Sequence, residues 1–566
     1  MDKRNRKNFR VWVCGLSAIG VALAFCLATP QTVPAPLTNS VGRVLPSDAA
    51  APDRQIFRYM FREPTTLDIG VAAYEADGTY FAFERLTLLD ENNLLVPGAA
   101  DRWVSSPDGK TWTFSLRPGA KWSDGRPVTA HDFVYSYRRM LDPASGNVYA
   151  FLYYVIKGGK AYNQGQLKNV EQVGIRAIND LTFQMETEGP CPYLPYITAF
   201  ITSSPAPHWQ VEKYGAKWTE PEYCVSNFTY RLAEWKHGQS MTFALDPNYN
   251  GSRKAYLEKI LVKFIGGQRP GTAPYENGEI DAYLLDPLDY ARVRKDPKLN
   301  TEVARIAEFT TWYLFFKTAS PPFNDLRVRR AIAKAIDRET LCRVVLNDLA
   351  IPAYSMLPPG FPGYAGAEMK SYQAYDPEKA RALMAEAGFP GGRGFPATEL
   401  WLRIADTTLN RVAAEAIQAM LKKQLGITLN IQFHQRTLFN DRLVDWQIPM
   451  GMLAFAYDYP DPSNMLGLLW RSQPKGYGRH DWQHGAFDRL IDQANTEMNA
   501  GRRYTLYTQA ERILAEEAGA VFLFHPMVTE LRKPYLRGIK KDASGRDVPL
   551  MSIQTVNFTD VYVAKP

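Results

Sequence analysis

The segment from 110 to 143 constrains the fold of this chain more than any other, and it reads KTWTFSLRPGAKWSDGRPVTAHDFVYSYRRMLDP. Residues 112–116 alternate between apolar and polar side chains, which is the period-two pattern of a half-buried strand. The turn sequences Arg-Pro-Gly and Asp-Gly follow. Thr129 with Asp132 three residues later has the spacing of a capping box, and the helical pattern that follows ends at Pro143. The segment therefore predicts a strand, two tight turns and a capped helix in immediate succession.

Length and charge limit the class of protein. A chain of 566 residues is too long for one hydrophobic core, so two or more lobes are expected. Strand-like and helical segments alternate without an internal repeat, which predicts a mixed α/β fold. The formal net charge is +7, but residues 1–28 contribute +4 of it and leave +3 for the rest of the chain. This small excess argues against a surface that binds nucleic acid.

The N-terminus has the pattern of an export signal. A basic start precedes the uncharged apolar run 11–28, and Cys26-Leu27-Ala28 approximates a small-x-Ala cleavage site. We therefore expect residues 1–28 to be a signal peptide and the protein to act outside the cytoplasmic membrane. The run is also near the lower length limit of a membrane span, so an uncleaved N-terminal membrane anchor stays open. Residues 29–53, rich in Pro, Ala and Ser, predict a flexible linker.

Three segments carry a family resemblance. Residues 110–143 closely resemble the signature region of the extracytoplasmic solute-binding proteins of the peptide/nickel class, in particular the oligopeptide-binding subunit of bacterial ABC importers. Residues 214–230 and 321–341 are similar to the same group. The resemblance extends from residue 54 to the C-terminus. It implies an α/β fold of two lobes, the periplasmic binding protein fold, with an extra inserted subdomain.

The resemblance also implies where the domains begin and end. The expected order is lobe I at 54–83, the inserted subdomain at 84–207, lobe I again at 208–309, lobe III at 310–525 and lobe I once more at 526–566. Two aromatic segments, 310–316 and 520–527, have the composition of buried strands. They are expected to cross between the lobes.

A receptor for peptides of many sequences has to bind what all peptides share, namely charged termini and an extended backbone. Asp458 lies in a segment, LAFAYDYPDPSNML, that resembles the family segment whose aspartate binds the peptide ammonium group. A plain turn is the alternative for Asp458, and Asp461 is expected to have only a structural role. Phe455 stands where oligopeptide binders usually carry Trp, so it is expected at the base of a ligand pocket. Tyr149 matches a ligand-contacting position of the inserted subdomain, and a core tyrosine is equally compatible with its sequence.

The residue that binds the peptide C-terminus is left open. Asn410 stands where close relatives offer a histidine to this group, and Met452 stands where they offer an arginine. Arg411 or Arg442 could supply the missing positive charge, and both are candidate ligand-binding residues. The sequence predicts neither which of them reaches the ligand nor the preferred length of the peptide.

Cysteines and histidines raise two further questions. Cys191 and Cys224 are expected in a compartment that permits disulfides, and the sequence leaves a bridge and two free thiols equally open. Cys342 falls on the apolar face of a predicted helix and is expected to be a buried thiol. His480 and His484 have the spacing of metal ligands, but nearby glycines favour a loop, so no metal site is expected.

The sequence therefore predicts a receptor that binds oligopeptides and delivers them to a membrane-embedded ABC permease complex. It is expected to be a monomer in the periplasm or cell envelope, without a cofactor or catalytic residues. One alternative keeps the fold and changes the ligand to a cell-wall peptide, a metal chelate, haem or an oligosaccharide. The other is an exported hydrolase, for which the chain has no P-loop, His-Glu-x-x-His pair or Gly-x-Ser-x-Gly elbow.

Overall fold

The computed structural model describes residues 36–71, 76–266, 270–404, 408–550, 555 and 557–565. The predicted signal peptide, residues 1–28, lies outside these residues, as does the first part of the predicted linker. Within the described part, no helix combines the length and the apolar character that a membrane crossing requires.

The strands of the described residues form five sheets. In chain order they are β1 (Ile56–Phe61), β2 (Thr87–Leu89), β3 (Leu95–Pro97), β4 (Ala100–Ser105), β5 (Thr111–Leu116), β6 (Ile175–Asn179), β7 (Thr182–Glu186), β8 (Tyr230–Lys236), β9 (Ser240–Leu245), β10 (Lys259–Phe264), β11 (Ala282–Leu284), β12 (Val303–Ala307), β13 (Thr310–Phe316), β14 (Ala350–Pro352), β15 (Thr398–Arg403), β16 (Leu429–His434), β17 (Met450–Ala456), β18 (Val521–Arg532), β19 (Leu536–Arg537) and β20 (Tyr562–Val563).

The α-helices are concentrated in the second half of the chain. In chain order they are α1 (Thr79–Ala82), α2 (Ala130–Leu141), α3 (Gly159–Asn163), α4 (Leu194–Ile197), α5 (His208–Tyr214), α6 (Ala273–Glu276), α7 (Pro287–Val293), α8 (Leu326–Ala335), α9 (Arg338–Thr340), α10 (Gly366–Gln373), α11 (Pro377–Glu386), α12 (Thr408–Leu425), α13 (Arg436–Val444), α14 (Gly485–Thr496) and α15 (Ala500–Glu516).

The segment 110–143 folds as its pattern predicts. Strand β5 covers the alternating residues, and its Trp112 and Phe114 are buried on one face. Helix α2 begins directly after Thr129, whose backbone N–H donates to the Asp132 carboxylate at 2.8 Å, as in a capping box. The predicted strand and capped helix are therefore confirmed.

Two four-stranded sheets form the first half of the chain. The antiparallel sheet β4-β5-β7-β6 packs against α2, where the rings of Phe133 and Tyr137 lie 6.0 and 5.6 Å from the ring of Phe183 in β7. The other sheet has the order β1-β10-β9-β8, with β1 parallel to β10. Phe81 of α1 packs on Phe243 of β9 at 5.1 Å. Aromatic pairs of this kind stabilise both layers beyond the burial of their area.

The third large sheet has eight strands, and β13 lies at its centre between β17 and β18. All seven residues of β13 are buried, as its aromatic composition predicts. One face of the sheet packs on α8, α11 and α12, and the other packs on α14 and α15. Strand β15 runs parallel to both of its neighbours, β16 and β17.

Two connections join this sheet to the lobe that contains β1. The first connection is the long strand β18. Its first residues pair with β13, and its last residues pair with β12 and β11. The other connection is the two-residue link Glu308-Phe309 between β12 and β13. The chain thus has the mixed α/β, two-lobe architecture expected of it, with crossing strands at both aromatic segments. The residue numbers given above for the domain boundaries stay a prediction.

The structure differs from the expected linker between residues 37 and 53. Asn39 donates its side-chain amide to the Ala255 carbonyl at 2.8 Å, and Arg43 pairs with Asp560 at 2.9 Å. Ala49 forms a β-bridge with Ala564. This part of the expected flexible linker is therefore folded onto the body. Composition could not show this, because the polar partners lie far away in the sequence.

The cysteines and histidines also have defined environments. Cys191 and Cys224 are free thiols, so the disulfide that the sequence left open is not formed between them. Cys342 is buried, as predicted. His480 stacks on Trp470 with a centroid distance of 4.2 Å, and His484 accepts a hydrogen bond from the first turn of α14. No cluster of metal-ligating side chains occurs among the described residues.

Candidate ligand-binding cleft

The cleft edge is set by the direction of three strands. Strands β15, β16 and β17 are parallel, so Arg403, His434 and Ala456 end them at the same edge of the sheet. In open α/β sheets, ligands bind outside the carboxyl ends of such strands. The chain leaves β17 directly into Tyr457 and Asp458, which places the predicted anchor at this edge.

Asp458 is a buried carboxylate held by neutral donors. Its Oδ2 accepts a hydrogen bond from the Asn464 side chain at 2.9 Å, and its backbone N–H donates to the same amide at 2.9 Å. Burial raises the pKa of Asp458 to about 6, against the lowering effects of Asn464, Arg479 and the Tyr149 hydroxyl. Within the described part of the chain, no lysine or arginine forms an ion pair with it. Such a group gains most from a ligand that brings a positive charge.

A second aspartate, Asp461, stabilises the loop that follows Asp458. Asp461 is fully buried, accepts a hydrogen bond from the Ser463 N–H at 3.0 Å and pairs with the buried Arg503 at 2.5 Å. A π-helical turn, Ser463–Leu468, follows and presents Asn464 to Asp458. The structural role expected for Asp461 agrees with these contacts.

Tyr149 reaches Asp458 from the segment where the inserted subdomain is expected. Its hydroxyl group lowers the pKa of the Asp458 carboxylate. Its ring packs against Phe151 and Phe200 at 5.7 and 5.4 Å, and its backbone N–H donates to the Asn147 side chain at 2.9 Å. The ring of Tyr149 is packed as a core tyrosine would be. Contact of its hydroxyl group with a ligand stays a prediction.

Phe455 lies three residues before Asp458 in the sequence and is 7% exposed. It pairs with Thr311 across β17 and β13. The guanidinium group of Arg479 lies over its ring, 5.3 Å from the centroid. Sequence reasoning missed Arg479, since it sits in a glycine-containing loop that has no helical or strand pattern. This arginine also influences Asp458 electrostatically.

The other three candidate residues lie elsewhere. Asn410 is buried near the start of α12, and its side-chain amide has no hydrogen-bond partner among the described residues. Arg411 is exposed and lies 4.1 Å from the centroid of the Phe433 ring. Arg442 is exposed and donates to Gln447. No contact within the described residues joins these three to Asp458. A role for them at a peptide C-terminus stays a prediction.

A cavity of about 440 Å³ lies beside Tyr457, the residue that precedes Asp458. Its walls come from β1, the link between β12 and β13, the end of β17, strand β18 and the loop at 542–549. Its lining consists of Tyr59, Glu91, Asn93, Leu284, Ile306, Ala307, Glu308, Phe309, Thr310, Ala456, Tyr457, Val528, Glu530, Asp542, Arg546, Asp547, Val548, Pro549, Thr555 and Asn557. The sequence could not predict this cavity, because its walls come from segments far apart in the chain.

The chain is similar to known binding proteins over most of its length. The sequence model described as bacterial extracellular solute-binding proteins, family 5, matches residues 95–477. The periplasmic oligopeptide-binding protein OppA of Salmonella typhimurium is 31% identical, covering 85% of this chain and 87% of that protein. The oligopeptide-binding protein OppA of Bacillus subtilis is 29% identical, covering 85% of this chain and 89% of its own.

Solved structures agree with this similarity. The murein tripeptide binding protein MppA of Escherichia coli superposes with a TM-score of 0.72 at 27% sequence identity. The superposition covers 92% of this chain and 100% of that one.

Proposed function

This chain belongs to family 5 of the bacterial extracellular solute-binding proteins, and we propose that it is an oligopeptide-binding receptor of an ABC importer. The relatives named above are oligopeptide- and murein-peptide-binding proteins. In this proposal the protein binds its solute without converting it. The receptor acts outside the cytoplasmic membrane, in the periplasm or cell envelope, as a monomer that docks on a membrane-embedded permease complex.

The observation that carries the proposal is the environment of Asp458. A carboxylate that is buried, hydrogen-bonded to Asn464 and without an ion pair in the described residues is suited to an ammonium group. The α-ammonium is the one cation that every unmodified peptide carries. The receptor therefore binds the peptide N-terminus at Asp458, and the residues that follow extend along the cleft.

Room for side chains is the second requirement. The cavity beside Tyr457 has a volume of about 440 Å³, which falls within the usual range of ligand pockets, about 300–1,000 Å³. Water in such a cavity can rearrange around different side chains, so one site accepts many sequences. Binding favours closure of the lobes about β18 and the link at Glu308-Phe309, because the ligand then contacts both lobes.

The test is to identify what the protein carries. The full-length protein, purified from its host without added peptide, is denatured and the released molecules are analysed by mass spectrometry. We expect a mixture of short peptides with free amino termini. Peptide binding is then measured by calorimetry with tri-alanine. A released steroid, haem or sugar, or steady hydrolysis of tri-alanine, would contradict the proposal.

A further inference from the structure

Five carboxylates line the cavity beside Tyr457, and four of them already have a basic partner. The pairs are Glu91 with Lys540 at 3.6 Å, Glu530 with Arg532 at 2.7 Å, Asp542 with Arg546 at 2.7 Å and Asp547 with Lys541 at 3.6 Å. The fifth is Glu308. The lining therefore retains one negative charge that no side chain of the described residues neutralises.

Glu308 is one of the residues that line this cavity. It lies in the two-residue link between β12 and β13, where its N–H donates to the Pro526 carbonyl at 3.2 Å. Its side chain makes no ion pair or hydrogen bond within the described part of the chain. The side chain is accessible from the cavity, yet the surrounding protein desolvates it and raises its pKa. Burial raises the pKa of Tyr457, the charge of Glu308 raises it further, and both residues line the cavity.

The walls around Glu308 suit a cation on an apolar stem. The rings of Phe309 and Tyr457 meet edge to face at 5.3 Å, and Tyr59 of β1 also lines the cavity. Aromatic faces attract cations that lie within about 6 Å of the ring centroid. Apolar side chains complete the wall, among them Ile306 and Val528. A methylene chain can pack there while its charged end meets the carboxylate.

We propose that this cavity binds a basic side chain of the peptide, a lysine or an arginine, with Glu308 as its counter-ion. The inference rests on the proposed function and adds a sequence preference to it. Ala456 and Tyr457 line the cavity and immediately precede Asp458, which takes the α-ammonium group. The basic residue is therefore one of the first three of the peptide. Glu308 sets this preference, because every other carboxylate of the lining is already paired.

The test uses matched tripeptides on the full-length protein after its own ligands have been removed. Lysine is placed in turn at each position of tri-alanine, and each peptide is compared by calorimetry with its norleucine counterpart, which has a similar stem and no charge. Three proteins are measured: wild type, Glu308→Gln, and Glu378→Gln as a control. Glu378 is an exposed residue of helix α11, outside the cavity.

We expect wild type and Glu378→Gln to bind one of the lysine peptides about tenfold or more tightly than its norleucine counterpart, a difference of about 1.4 kcal/mol. Glu308→Gln should lose this preference and still bind the norleucine peptide as wild type does, which shows that it is folded. Equal binding of all pairs by wild type, or a preference that Glu308→Gln retains, would overturn the inference and leave peptide binding intact. Failure of wild type to bind any of these peptides would contradict the proposed function, and this inference with it.

Discussion

The hydroxyl group of Tyr149 lowers the pKa of the Asp458 carboxylate, although the two residues are far apart in the sequence. It stabilises the ionised form of a carboxylate that burial disfavours. Tyr149 therefore helps to keep Asp458 negatively charged for a ligand that reaches it.

Replacement of Tyr149 by phenylalanine tests this relationship. The ring contacts with Phe151 and Phe200 remain, but the hydroxyl donor is lost, so the pKa of Asp458 should rise further above its usual range. We expect tri-alanine to bind more weakly by about 0.5–1.5 kcal/mol at pH 7. Tyr154→Phe is the control, because that hydroxyl donates to Asn163 instead. Unchanged calorimetric affinity in Tyr149→Phe would contradict a role for the hydroxyl.

The raised pKa of Asp458 predicts how peptide binding depends on pH. The folded receptor has a pKa of about 6 at this site, and an ammonium ligand requires the ionised form. Affinity should therefore be highest near pH 7, fall by up to about tenfold per pH unit below pH 6, and fall again towards pH 8, where the α-amino group of the peptide, with a pKa of about 7.7–8.0, loses its proton. Tri-alanine is the proper probe, since it has no basic side chain to involve Glu308. Calorimetry from pH 4.5 to 8 gives the profile, and a flat profile would show that no titrating carboxylate holds the ligand.

Glu511 gives a prediction about stability rather than binding. One of its oxygens accepts hydrogen bonds from the Met356 and Leu357 N–H groups at 2.7 and 3.1 Å, and the other has no partner among the described residues. Burial raises its pKa from 4.5 to about 7. Because the folded pKa is the higher one, the contribution of Glu511 to stability is complete below pH 4.5. It is lost as pH rises through 7.

The substitution Glu511→Gln should prevent this loss of stability at high pH. The amide oxygen can still accept both backbone hydrogen bonds, and no charge is buried at high pH. We expect the free energy of unfolding to exceed that of wild type by roughly 3 kcal/mol at pH 8 and to equal it near pH 4.5. Urea unfolding at the two pH values measures the difference. Lower stability of the variant at pH 8 would mean that the native carboxylate is ionised and well solvated.

Local patterns explain which features could be predicted from the sequence. The capping box at Thr129 and the buried strand β13 depend on residues close together in the chain, so both were predicted and confirmed. The role proposed for Asp458 comes from the resemblance of its segment to a family and stays a prediction. Arg479 and Glu308 could not be found in this way, because their significance comes from neighbours that only the folded chain supplies. The sequence predicted a flexible linker where residues 37–53 pack on the body, because the residues that they contact lie far away in the chain.

The sharpest prediction concerns the charge of Asp458 itself. Asp458→Asn keeps the shape of the side chain and its neighbours Asn464 and Tyr149 but removes the negative charge. If the α-ammonium of the peptide pairs with this carboxylate in a site that excludes water, the substitution should weaken binding by about 2–5 kcal/mol.

N-acetylation of the peptide removes the same ion pair from the other side. Wild type should therefore lose a similar amount with acetyl-tri-alanine, and the two losses should not add. Calorimetry on the four combinations of protein and peptide measures this coupling directly. Free-amine tri-alanine that binds Asp458→Asn as tightly as wild type would leave Asp458 with only the structural role of its loop.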